Sequence, residues 1–236
     1  DMKTSADMQF CLNGTDLFGE FAYDWVNMAP AVLVGTLFPA GESMELAAML
    51  RYYNGRYDPV MSGGPRSGTR CTNECSVSLA GEYSGGRSIV VKSSSGIKSS
   101  VERQNFSVSV DAAIFPSTMK NGRRIQYKGT FLWNMQINPV LKLSVRLKER
   151  FRSWEDERFK TDLRADLSFS MNELYASVRL NGVSCIGLGL LGYLEGGYRN
   201  QKCSLYLRSG IFRIDNWEDR IYSYERDAPG NFSVPS

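Results

Sequence analysis

The chain has 236 residues, 42% hydrophobic and 22% charged, ordinary for a folded protein and enough for one large β domain or two small ones. Its net charge of +3 is spread without a basic stripe, which leaves no electrostatic footprint for nucleic acid. Histidine is absent, so the usual histidine-dependent hydrolytic sites are excluded, as is a transmembrane helix: no apolar run reaches about 18 residues, and the best stretch, Met28 to Ala40, is interrupted by Pro30, Gly35 and Pro39.

The 12 Tyr, 12 Phe and 22 Gly point to pleated sheet with glycine at its bends and turns. Taken in order, the elements alternate with period two. Phe21, Tyr23 and Trp25 oppose Glu20, Ala22 and Asp24. A strand over Ala31–Phe38 follows, then Leu46, Ala48, Leu50 and Tyr52 against Glu45, Ala47, Met49 and Arg51. Asn54 to Thr72, rich in Gly, Pro and Arg, reads as a long exposed loop. Strands are predicted at Cys75–Tyr83 and Ser88–Lys92, and another where Phe106, Val108 and Val110 alternate with Ser107, Ser109 and Asp111.

The clearest run is Arg124 to Met135. There Ile125, Tyr127, Phe131 and Trp133 share one face, and Arg124, Gln126, Lys128 and Asn134 the other. Leu143 and Val145 then oppose Lys142, Ser144 and Arg146. Leu163 and Leu167 oppose Lys160, Asp162, Arg164 and Asp166, and Val178 and Leu180 oppose Ser177 and Arg179. Ile186–Tyr198, Lys202–Ile214 and Arg220–Glu225 complete about twelve to fourteen strands. No helical periodicity and no linker interrupts them, so residues 1–236 are expected to form a single domain, an all-β antiparallel meander.

Two features turn this pattern toward a membrane barrel. Several strands run about nine to thirteen residues, the length that crosses a bilayer at a tilt, where globular strands average about five or six. Their polar faces carry ladders of both signs, such as Lys160, Asp162, Arg164 and Asp166, while the opposite faces are aliphatic and aromatic. That is the inside and outside of a barrel in lipid. Lipid offers no hydrogen-bond partner, so a sheet placed in it must close. Aromatic residues near strand ends (Trp25, Tyr52, Tyr53, Trp133, Phe151, Trp154, Phe159, Tyr198, Trp217) suit interfacial girdles.

Ordered segments along the chain carry a resemblance. They are Leu17-Phe-Gly-Glu-Phe-Ala; Leu50-Arg-Tyr-Tyr-Asn-Gly-Arg-Tyr followed by a Gly-rich loop and Asn73-Glu74; Val110-Asp-Ala-Ala-Ile-Phe-Pro; Leu147-Lys-Glu-Arg-Phe-Arg; Gly189-Leu-Leu-Gly-Tyr-Leu-Glu-Gly-Gly-Tyr; and the most specific, Trp217-Glu-Asp-Arg-Ile-Tyr-Ser-Tyr-Glu-Arg-Asp with Phe232-Ser-Val-Pro. In these the chain resembles the C-terminal β-barrel region of large Bacteroidetes outer-membrane proteins often described as helix-hairpin-helix (ComEA-like) proteins. The resemblance implies an outer-membrane β-barrel. It does not extend to the helix-hairpin-helix segment, so no nucleic-acid binding is carried over, nor to the cysteines. The family continues past Phe-Ser-Val-Pro into a final aromatic strand, so the chain is expected to be part of a larger barrel or trimmed at one or both ends.

The functional expectations follow from this architecture. The chain is expected in the bacterial outer membrane as a channel or scaffold, including as an accessory of an export or uptake machine. The alternative is a soluble, lipocalin-like all-β binding module. No catalysis and no cofactor are expected: Glu20, Asp24, Asp166 and Glu195 are available for acid–base work, but barrel interiors carry such groups to pair with Arg and Lys. Gly187-Leu-Gly-Leu-Leu-Gly lacks the strand-to-helix context of a dinucleotide loop. Arg124, Lys128, Lys142, Arg146, Arg164, Asp166 and Arg179 are expected to face a lumen that opposite charges keep narrow or plugged.

Ile125, Tyr127, Phe131, Trp133, Leu143, Val145, Leu163, Leu167, Leu190 and Leu194 are expected to face the expected partner, lipid. Arg56, Tyr57, Arg66 and Arg70 are the candidate contacts of the long loop, toward lipopolysaccharide or another envelope protein. Removing Asp58 to Thr69 is expected to leave folding intact. Of Cys11, Cys71, Cys75, Cys185 and Cys203, only Cys71 and Cys75 are close enough in sequence to suggest a local bridge; bridged and free forms both remain open, and no metal site is expected.

Overall fold

In the computed structural model the strands form one antiparallel sheet in chain order: β1 (Lys3–Leu12), β2 (Thr15–Asp24), β3 (Ala29–Pro39), β4 (Met44–Tyr53), β5 (Glu74–Ser93), β6 (Gly96–Met119), β7 (Gly122–Asn138), β8 (Leu141–Arg152), β9 (Phe159–Met171), β10 (Leu174–Ser184), β11 (Leu188–Arg199) and β12 (Ser204–Ile214). The structure describes residues 2–58, 64–93, 96–119, 122–154, 159–200 and 203–222, with backbone alone over 87–93, 96–102, 117–119 and 122–123. Among the described residues β1 pairs only with β2 and β12 only with β11, so the sheet is open.

Each strand pairs with its sequence neighbour, and apart from the β4–β5 loop the connections are short. Asn13 and Gly14 both have positive φ, the backbone of the two-residue hairpin turn whose twist matches its strands. Asn138 accepts hydrogen bonds from the Val140 and Leu141 N–H groups and closes the β7–β8 turn. Asp24 does the same for Val26 and Asn27 between β2 and β3. The turns at residues 13–14, 40–43, 139–140 and 172–173 lie at one end of the sheet, while those at 25–28 and 185–187 and the long β4–β5 connection lie at the other.

Three elements differ from the sequence reading. β1 went unpredicted, although it alternates Thr4, Ala6, Met8 and Phe10 with Lys3, Ser5, Asp7 and Gln9. The segments predicted at Cys75–Tyr83 and Ser88–Lys92 are one strand, β5, which continues through Gly85 and Gly86. Arg220–Glu225 is not a strand over its described part: a single 3₁₀ turn at Trp217–Asp219 leads into irregular chain.

The register sorts the side chains onto two faces. One carries Leu50, Val77, Val110, Tyr127, Val145, Leu163, Val178 and Leu194, the other Arg51, Ser76, Asp111, Lys128, Arg150, Arg164, Arg179 and Glu195. The apolar face is the exposed one: Leu163, Leu180 and Leu194 are 51–61% exposed, whereas Arg51, Glu74, Gln126 and Glu195 are at most 5% exposed. This inverts the arrangement of a water-soluble sheet, whose apolar face is buried. Aromatic rings cluster at both ends of the apolar face, with Tyr83, Phe106, Phe131 and Trp133 toward the short turns and Tyr127, Phe151 and Phe159 toward the long loop.

Candidate functional site: a loop bound on the polar face

β4, β5, β6 and β7 present Arg51, Ser76, Ser78, Asp111, Gln126 and Lys128 side by side on the polar face. The β4–β5 loop returns onto this patch and places Ser67 at its centre. The Ser67 and Gly68 N–H groups donate to the Glu74 carboxylate at 2.9 and 3.2 Å. The Ser67 carbonyl accepts from Gln126 Nε2 at 3.2 Å and Lys128 Nζ at 3.0 Å. Its hydroxyl donates to Asp111 and accepts from Arg51 Nη2 at 3.0 Å.

Arg51 completes the cluster. Its Nε donates to Ser76 Oγ at 2.7 Å and lies 3.3 Å from Glu74, while Nη2 contacts Asp111. Ser76 donates to Glu74 and Ser78 to Asp111. A buried carboxylate is tolerated only when its lone pairs are satisfied, and Glu74, wholly buried, is satisfied largely by loop backbone. Beside it a small apolar cluster of Ala22, Ala31, Tyr53 and Cys71 seats the loop, with Tyr57 packed against it. The Tyr53 hydroxyl donates to the Pro65 carbonyl at 2.8 Å. Burial pushes the Tyr57 hydroxyl above its ordinary value.

The loop thus differs from the exposed excursion expected of it. Arg56, Arg66 and Arg70 are exposed, as contact residues must be, but Tyr57 is partly buried, and Ser67 and Cys71 are buried. Deleting Asp58 to Thr69 would take the Ser67 and Gly68 N–H groups from Glu74. Cys71 and Cys75 are both free; Cys71 is buried within the loop, and Cys75 lies on the apolar face opposite Tyr52 and Ile114. Residues 59–63 lie outside the described residues.

All of Arg124, Lys128, Lys142, Arg146, Arg164, Asp166 and Arg179 fall on the polar face. They do not form one site. Lys128 belongs to the loop cluster, while Asp166 holds Arg164 and Arg179 and Arg146 pairs with Asp162 at 3.3 Å. Further along, Tyr193 lies between Arg179 and Arg208, and Arg208 is bound by the buried Glu195. Lys142, Ser168, Tyr175 and Arg179 line a small cavity of about 220 Å³ there.

No family model, curated protein or solved structure matches the chain. Among the described residues no three Cys, Asp or Glu side chains gather to hold a metal ion. Arg51, Ser67, Glu74 and Asp111 were missed as a group from the sequence. The alternation placed Arg51 and Asp111 on polar strand faces, but nothing in the loop marked Ser67 as their partner.

Proposed function

We propose that the chain is a β-barrel of the bacterial outer membrane that serves as a channel or scaffold, its interior narrowed by the inward β4–β5 loop. The observation that carries this reading is the exposed apolar face set against a sheltered, ion-paired polar face. In lipid each unpaired backbone group costs several kcal/mol, so the free edges of β1 and β12 are closed in the membrane, against each other or against further strands. No helix among the described residues is long and apolar enough to cross a membrane, which leaves strands to make the crossing.

A lipocalin-like module requires an apolar cup of roughly 300–1,000 Å³ inside the sheet. The polar face offers Arg51, Glu74 and Gln126 instead, and the apolar trough of about 590 Å³ bordered by Leu163, Leu180, Leu190 and Ile211 lies on the exposed face. The deciding experiment is cell fractionation followed by planar-bilayer recording. A membrane-bound protein that needs detergent for extraction supports the proposal, and small or no conductance separates a plugged barrel from an open pore. Recovery from the aqueous fraction without detergent would refute it.

A further inference from the structure

We infer that the cavity of about 220 Å³ on the polar face of β8 to β11 binds one ring of a neutral saccharide. The register builds the cavity. Ser168 stands opposite Ser177 across β9 and β10, two short side chains among long ones. On one side the next row of the ladder carries Asp166, Arg179 and Tyr193, with Ser144 at its β8 end. On the other side stands Tyr175, opposite Ser170. The hollow follows from that difference in side-chain length. At about 30 Å³ of liquid volume per water it has the room of roughly seven waters, which suits a single pyranose ring.

The lining fixes the class of ligand. Five of its side chains, Ser144, Ser168, Ser177, Tyr175 and Tyr193, end in a hydroxyl, a group that both donates and accepts. Ser144 and Ser177 have no side-chain partner among the described residues, and the Ser168 hydroxyl reaches only the Lys142 carbonyl at 3.4 Å. The charges along the cavity, by contrast, are already matched: Asp166 holds both Arg164 and Arg179, and Glu195 holds Arg208. Lys142 stands at an exposed position of the rim, where water solvates it. An ionic ligand would have to displace an ion pair. A sugar instead offers hydroxyls of the same dual character to serines that lack partners. Its C–H face, weakly positive, also suits the negative face of an aromatic ring, and Tyr175 supplies a ring beside the serines.

The opposite wall is held in place before any ligand arrives. Tyr193 lies between the guanidinium carbons of Arg179 and Arg208, 5.1 and 4.5 Å from its ring centre. Each of those arginines is bound by its own carboxylate. A wall already ordered adds no ordering cost to binding.

This inference rests on the polar face being an interior, but the binding itself needs only a folded sheet. The test is saturation-transfer NMR on the full chain, refolded in a nonionic detergent without a sugar headgroup and titrated with the methyl glycosides of glucose, galactose and mannose. At least one should bind, with an affinity that salt leaves unchanged, because no net charge is matched. Ser177→Val should weaken that binding about fivefold, the scale of one neutral hydrogen bond, and Tyr175→Ala by as much or more. Valine favours a strand, so lost binding in Ser177→Val cannot be put down to misfolding. Ser107→Val, on the same face but outside the cavity, should bind as the parent does. No transfer to any of the three glycosides, undiminished binding by either cavity variant, or tighter binding of galacturonate than of methyl galactoside would overturn the inference. A chain recovered from the aqueous fraction that still binds a glycoside would refute the membrane proposal alone, and a detergent-extracted chain that binds none would refute this inference alone.

Discussion

Arg51 lies between two carboxylates, with Glu74 on one side and Asp111 on the other, and is 5% exposed. A guanidinium so placed costs several kcal/mol to desolvate, so the cluster contributes little net stability while intact. Removing one partner is different, because it strands the remainder. Arg51→Met should leave Glu74 and Asp111 uncompensated and cost about 3–5 kcal/mol in urea unfolding. Ser67→Ala loses one hydroxyl and should cost only about 1 kcal/mol. Similar losses for the two would show that the loop, not the charge, organises the patch. The sequence exposed half of this arrangement: Arg51 and Asp111 sit on the polar side of alternating strands, where period two places them. Ser67 sits in a Gly- and Pro-rich stretch without periodicity, and its role depends on a chain reversal that no local pattern encodes.

At the scale of elements, the segment after β12 is fastened to the β10–β11 turn by one side chain. Asp219, wholly buried, accepts the N–H groups of Cys185, Ile186 and Gly187 at 2.8–3.2 Å. Burial by itself would raise its pKa, but the N–H groups of Gly187, Cys185 and Ile186 and the Asn216 amide together hold it below the ordinary carboxylate value. A carboxyl depressed on folding stabilises the folded state above its unfolded pKa and loses that contribution as pH falls through the folded one. The fastening should therefore be complete above the ordinary value of 3.8 and release below it. Emission of the exposed Trp217 should report the release, and Asp219→Asn should flatten its acid dependence; an unchanged acid profile in that variant would exclude Asp219 as the fastener. Gly189 is needed for the same contact, since a β-carbon there would lie 2.1 Å from the Asp219 carbonyl oxygen. Strands from β7 to β12 were legible because their alternation is long and chemically sharp. β1 was missed because Thr4 and Ala6 make a weak apolar face, and β5 was cut in two because Gly85-Gly86 has the composition of a turn.

For the molecule as a whole, the inverted faces make a quantitative demand. Val178, in the middle of β10, lies on the exposed apolar face between Leu167 and Leu194. Val178→Arg should cost roughly 2–4 kcal/mol if that position meets the centre of a bilayer, but within about 0.5 kcal/mol if it meets water. Unfolding in phospholipid vesicles measures the difference, and a negligible cost there would count against the membrane placement. The sequence pattern leads us to expect a closed barrel, whereas the described sheet has free edges at β1 and β12, and strand edges leave no mark in an alternating pattern. One further dimension follows from the lengths of β5 and β6. They run 20 and 24 residues and pair as far as Ser93 and Gly96, while β4 leaves β5 at Tyr83 and β7 leaves β6 at Arg103. The hairpin thus outruns its neighbours by some ten residues, roughly 33 Å of ribbon at the strand rise. It projects from the end of the sheet opposite the β4–β5 loop. Reach of that order is about the diameter of a small domain, so in the proposed barrel the hairpin would touch objects well beyond the membrane surface.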